Sequence, residues 1–148
     1  MKNYHCTTLL NTKADKIYNA LINGIPLWWT EMFEGSANHK GDIFTIRFGS
    51  NVYKTMRVEN LSHDTIVHWH VTDSLIAIPE LKNQTEWIGT DIIWEITENE
   101  DGTSLDLTHI GLNPDVECYN ICTSGWQQFV ESLKSHVEAG KGSPYKAI

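Results

Sequence analysis

Residues 115–139 read DVECYNICTSGWQQFVESLKSHVEA. Tyr119, Cys122, Trp126, Phe129, Val130, Leu133 and Val137 recur at the three- and four-residue spacing of one helix face. Gln127, Gln128, Glu131, Lys134 and Glu138 fall on the opposite face, and Gly140 supplies a C-cap. The spacing predicts one amphipathic helix from roughly Asp115 to Ala139. Such a helix is stable only where its apolar stripe is covered, so the fold follows from what the rest of the chain offers as cover.

Moving back from that helix, the period becomes two. Thr103 to Ile110 reads as a strand with Leu105, Leu107 and His109 on one face. Asp101-Gly102 is a hairpin turn. Before it, Glu86 to Glu98 alternates, with Ile88, Ile92, Trp94 and Ile96 opposite Asp91 and Glu95. Thr72 to Thr85 has mixed polarity and Pro79, and reads as a loop with a short irregular strand. Upstream lies a three-strand meander: Asp42 to Phe48, Val52 to Leu61 and Thr65 to Val71. Its turns are Gly49-Ser50-Asn51 and Ser62-His63-Asp64. Gly35 to Gly41 is a polar loop. At the N-terminus, Tyr4 to Leu10 is a strand. Asn11 or Thr12 caps a helix carrying Ile17, Tyr18, Leu21 and Ile22, which Gly24 ends. A second short helix covers Pro26 to Phe33. The expected class is α+β, with a curved antiparallel sheet of about six strands. Two short N-terminal helices precede it, and a long C-terminal helix packs across it.

At 148 residues the chain fits one domain, 1–148, able to bury about two-thirds of its unfolded surface. A net charge of -8 repels phosphate backbones and anionic membranes, so no nucleic acid is expected as a partner. No run approaches the ~20 apolar residues of a membrane helix, and Met1 to Leu10 lacks a signal-peptide pattern. Three cysteines, Cys6, Cys118 and Cys122, make no disulfide framework. Cys118 and Cys122, four apart on a helix, are poorly placed to bridge. Reduced thiols in a cytoplasmic protein are the simplest account.

Three passages carry a family resemblance. The first runs from Ala20-Leu21 to Leu27-Trp28-Trp29-Thr30. The second is Glu86-Trp87-Ile88-Gly89-Thr90 leading into Ile93-Trp94-Glu95-Ile96. The third joins Leu107-Thr108-His109-Ile110-Gly111-Leu112, Gly125-Trp126, Ser132-Leu133-Lys134 and the stretch from Glu138 to Tyr145. With the element order, they resemble the START-like (SRPBCC, helix-grip) superfamily, in the branch related to the activator of the heat-shock-protein-ninety ATPase. The resemblance implies a deep pocket between sheet and long helix that often holds an apolar ligand. It also implies that the eukaryotic co-chaperones carry a further N-terminal domain that does the activating, for which this chain is expected to have no space.

Six tryptophans are many for this length. Trp28, Trp69, Trp94 and Trp126 fall on inward faces, where they either fill a core or line a cavity and stack on a flat ligand. His109 is inward too. It is either a satisfied core histidine or a polar group that orients a ligand or acts as acid and base. Tyr119, Cys122, Trp126 and Phe129 form the helix stripe, hence core or cavity wall. These eight are the candidate ligand-binding residues. Gly125 inside the helix costs about 1 kcal/mol against Ala, which close packing or a kink opening the pocket would explain. His68-Trp69-His70 places two imidazoles on one side of a strand. The opposite face holds Val67, Trp69 and Val71, and no carboxylate stands at a convincing spacing, so a solvated pair is expected rather than a metal site. Arg47 and Arg57 face outward. Cys118 and Cys122 lack an identifiable cationic activator. No GxSxG, HExxH or phosphate-cradling loop occurs. No catalytic residue, metal or cofactor is therefore assigned.

Three functions remain open: carriage or sensing of an apolar small molecule; a polyketide cyclase or dehydratase reaction using His109; and protein interaction, as a homodimer or chaperone-linked, through the His68/His70 face and the Ile76 to Leu81 loop.

Overall fold

The computed structural model describes residues 3–146. Seven antiparallel strands form one curved sheet in the order β1-β7-β6-β5-β4-β3-β2. They are β1 (Tyr4–Leu10), β2 (Phe33–Gly35), β3 (Ile43–Arg47), β4 (Val52–Ser62), β5 (Ile66–Ile76), β6 (Asp91–Asn99) and β7 (Gly102–Ile110). The helices are α1 (Ala14–Ile22), α2 (Ile25–Trp28) and α3 (Tyr119–Ala139). The first strand thus sits at the edge beside the last, and α1 and α2 lie in the connection that carries the chain to the far edge. Register shifts between Thr55 and Met56 and between Val58 and Asn60 bend the long β4–β5 hairpin.

The alternation expected for the strands is observed. Trp69, Ile92, Trp94, Leu105, Leu107 and His109 are all buried on the face that α3 covers. The helix contributes Cys122, Trp126, Val130, Leu133 and Val137. Each fully buried aliphatic side chain of this kind is worth roughly 1.5–3 kcal/mol. Gly140 ends the helix with φ 80, the left-handed turn that glycine adopts without steric cost. No helix among the described residues is long and apolar enough to cross a membrane.

Four local expectations need correction. Residues 115–118 form turns, and α3 begins at Tyr119. Its end is capped from outside the helix, because Glu86 accepts the N–H groups of Glu117 and Cys118 at 3.0 and 3.1 Å. Glu86→Ala is expected to cost about 1 kcal/mol in urea unfolding. Likewise α1 starts after Lys13 with no side-chain cap; Glu98 reaches across to accept the Ala14 N–H at 2.8 Å. Residues 86–90 are not strand: Gly89 has φ 85, the Thr90 hydroxyl donates to the Trp87 carbonyl at 2.6 Å, and Ile88 is 46% exposed. Finally, α2 is a single turn ending at Trp28, and the chain beyond it supplies the short seventh strand, β2.

Candidate functional site

An apolar cleft of about 200 Å³, open on one side, lies where the N-terminal half of α3 crosses the bent β4–β5 hairpin. Its sheet wall is Val52 and Lys54 of β4 with Ile76 of β5. Its helix wall is Cys122, Gly125, Trp126 and Phe129. Trp29, Phe48, Ile78, Trp87 and Ile121 complete the rim. A Cβ on Gly125 would meet no atom within 4 Å, so the missing side chain is part of the space rather than a close-packing device. A larger cleft of about 520 Å³ lies at the other end of α3, between Leu9, Asn11, Asp101 and Lys134. Its wall is more polar, and it is a surface groove rather than an apolar interior.

The eight residues expected to bind ligand divide into two groups. Cys122, Trp126 and Phe129 line the apolar cleft. Trp28, Trp69, Trp94, His109 and Tyr119 do not. The first four are fully buried, filling the centre of the sheet–helix layer, and Tyr119 is half-buried on the first turn of α3. The cleft is displaced toward the bent hairpin end, whereas these side chains pack where helix and sheet touch.

They are nevertheless tied to the cleft. Trp126 lies against Trp29 at 5.2 Å, Trp87 at 5.7 Å and Trp94 at 5.7 Å between ring centroids. Its indole N–H donates to His109 Nδ1 at 3.1 Å. His109 Nε2 is 2.9 Å from the Thr90 hydroxyl, which donates onward to the Trp87 carbonyl. This sequence of donors fixes one arrangement: Nδ1 accepts and Nε2–H donates. Both ring nitrogens are thereby used, and burial, with the nearby charge of Lys54, pushes the imidazole pKa down to about 3. His109 is neutral, and what it does is hold Trp126 in the cleft wall.

Lys54 is the residue that sequence reasoning passed over. It is 91% shielded from solvent, its relative exposure being 9%, and Nζ lies over the rings of Trp87 at 4.3 Å and Phe48 at 4.9 Å. No ion pair among the described residues includes it. Burial pushes its ammonium down to about 8, against the sulfurs of Cys122 and Cys118. A signal was present: Val52, Lys54, Met56 and Val58 share one side of β4, and a lysine in that inward series is anomalous.

The cysteines also need correction. Cys118 and Cys122 bring their sulfurs to 2.6 Å, and Trp87 Nε1–H donates to Cys122 Sγ at 3.2 Å. The contact with the Cys118 thiol holds the Cys122 thiol below its usual range against the effect of burial, helped by the charge of Lys54 and by the Trp87 N–H. The cation absent from the local sequence thus comes from β4.

His68 and His70 do have a carboxylate. Asp91 Oδ1 on β6 is 2.9 Å from His68 Nε2 and 3.1 Å from His70 Nδ1. Burial would raise the carboxyl pKa, but the two imidazole hydrogen bonds hold it below its usual value. No group of three or more such side chains among the described residues has metal-binding geometry. Arg47 and Arg57 are outward, pairing with Glu34 and Glu59.

The profile of the AHSA1 family, Activator of Hsp90 ATPase homolog 1-like protein, matches residues 11–138. The chain belongs to this family. Its fold is accordingly START-like, in the branch that the three sequence passages indicated. Among solved structures, the Aha1 dimer from Colwellia psychrerythraea is similar with TM-score 0.77 and 27% identity, over 96% of this chain and 100% of that one. Protein MLL2253 from Mesorhizobium loti gives 0.73 and 18%, over 90% and 95%. DynU16, from the dynemicin biosynthetic locus, gives 0.72 and 15%, over 99% of this chain and 51% of that one. The last two show likeness of fold alone. No functionally curated protein matches the chain.

Proposed function

We propose that the protein binds an apolar small molecule in the cleft between the β4–β5 hairpin and α3. The carrying observation is the cleft itself, an aromatic-walled space held open beside a glycine in the middle of a helix. Binding pockets of this type are mostly apolar with few polar groups. Support also comes from the START-like fold, whose members often hold such ligands at this interface. A cyclase-type reaction has less support, because His109 has both nitrogens engaged and no carboxylate lines the cleft. Self-association as a homodimer is an added expectation, prompted by the Colwellia psychrerythraea Aha1 dimer; sedimentation at high concentration checks it.

Thermal unfolding with a panel of fatty acids, alcohols, sterols and flat aromatic compounds tests the proposal. One class is expected to raise Tm in a concentration-dependent way. Gly125→Leu is the matching control. It fills the cleft and replaces glycine with a better helix former, so its own Tm should not fall, while the ligand-induced rise disappears. A rise that survives in Gly125→Leu would place the ligand elsewhere.

A further inference from the structure

We infer that Lys54 is an anion anchor and that the ligand is an apolar carboxylic acid of medium length, its carboxylate on Lys54 and its hydrocarbon against Phe48, Trp126 and Phe129. This deepens the small-molecule reading and rests on it.

Of the side chains lining the cleft, only Lys54 is ionic. It emerges from an inward strand position and is covered by two aromatic faces, which stabilise a cation but leave its N–H donors without an oxygen acceptor among the described residues. A buried charge without a counterion is costly. A structural role would have been met by Met or Leu at this site at lower cost. The cross-strand neighbour of Lys54 is polar too, although it lies outside the cleft lining. Ser74 is the register partner of Lys54 on β5, it is 1% exposed, and its hydroxyl has no partner among the described residues. An inward ammonium in a cleft whose lining holds no carboxylate describes one end of a site for an anion. The rest of the cleft is hydrocarbon. A dry cavity of about 150 Å³ holds benzene. A space of about 200 Å³, open at one side, therefore takes a chain or ring of roughly eight to ten carbons.

The pKa of Lys54, lowered to about 8 by burial, gives a pH signature. The ammonium is present below about 8 and lost above it, so affinity for an anion falls with rising pH. The other titratable groups near the ammonium are Cys122 on α3, Cys118 just before that helix and His109 on β7. His109 is already neutral there. Ionisation of Cys122 would compete with the ligand and act in the same direction, so Cys122→Ser is included to separate the two.

Calorimetric titration of octanoate and of 1-octanol into the wild type, Lys54→Met, Lys54→Arg and Cys122→Ser decides the matter. The expected result is octanoate binding about tenfold or more tighter than octanol in the wild type. Lys54→Met keeps the apolar stem, so its Tm should not fall, and there the preference vanishes while octanol binding persists. Lys54→Arg retains the preference, and Cys122→Ser retains the loss of octanoate affinity above pH 8. Octanol matching octanoate in the wild type, or octanoate binding unchanged in Lys54→Met, overturns the anchor and leaves the pocket standing. Failure of every compound in the wider panel removes the pocket reading and the anchor together.

Discussion

Trp69→Ala is expected to lower the unfolding free energy by about 3–5 kcal/mol, measured by urea denaturation at neutral pH. Trp69 is fully buried at the middle of the sheet. Its ring stacks on Trp29 at 5.7 Å and meets Phe44 and Trp94 edge-to-face at 5.2 and 5.9 Å. Truncation removes a large apolar surface and leaves a void that three rigid rings cannot collapse into. Trp69→Phe should behave differently. The indole N–H of Trp69 has no hydrogen-bond partner among the described residues, and deleting an unpaired buried donor returns about 1–3 kcal/mol. That gain offsets part of the smaller cavity, so Trp69→Phe should lose no more than about 1–2 kcal/mol. Trp28 and Trp126, whose N–H groups are bonded, should not show this discount. Equal losses for Trp→Phe at 69 and 126 would remove the distinction between paired and unpaired indoles.

The layer architecture was legible because burial in it follows a simple rule. On β7, Leu105, Leu107 and His109 alternate with polar residues. On α3, the stripe around Trp126 and Leu133 repeats with the helical turn. Both patterns depend only on residues near in sequence. What failed depended on partners far away. Glu86 caps α3 from thirty-odd positions upstream, so the helix start could not be read from residues 115–118. Ile88 continued the rhythm of Ile92 and Trp94 by coincidence, and Gly89 with its positive φ ends the strand. Asp91 reaches His68 and His70 only through strand register.

The site divides along the same line. A core tryptophan and a cleft tryptophan both read as inward from the period of their own element. Trp94 on β6 and Trp126 on α3 even touch, at 5.7 Å between ring centroids, yet only Trp126 borders the cleft. Gly125 is informative in hindsight for a physical reason. A glycine within an amphipathic helix, next to Trp126 and with nothing against it, marks volume that no side chain occupies. Lys54 is the one element of the cleft that the alternation itself could have exposed, since its neighbours Met56 and Val58 are fully buried.

His109 should make the fold acid-labile in a defined window. Its folded pKa, near 3, lies well below the 6.5 of an unperturbed imidazole. Above 6.5 the residue is neutral in both states and its contribution is fully present. As pH falls below 6.5 the unfolded chain takes up a proton that the folded protein refuses until about pH 3. Stability therefore declines through that interval at up to about 1.4 kcal/mol per pH unit, approaching about 5 kcal/mol in total. The cause is structural: a proton on Nδ1 would face the N–H of Trp126 donor to donor, so the hydrogen bond that seats the cleft wall has to break. His109→Gln supplies the control. Its amide can accept from Trp126 and donate to Thr90 but does not titrate. The variant should be less stable at pH 7 and lose less on acidification, so that urea-unfolding curves of the two proteins converge between pH 6.5 and 4. Parallel pH profiles would mean that the imidazole is not the group opposing protonation. Convergence accompanied by an earlier loss of ligand binding in the wild type would tie the same bond to the cleft, because Trp126 is the residue that both the core network and the ligand wall share.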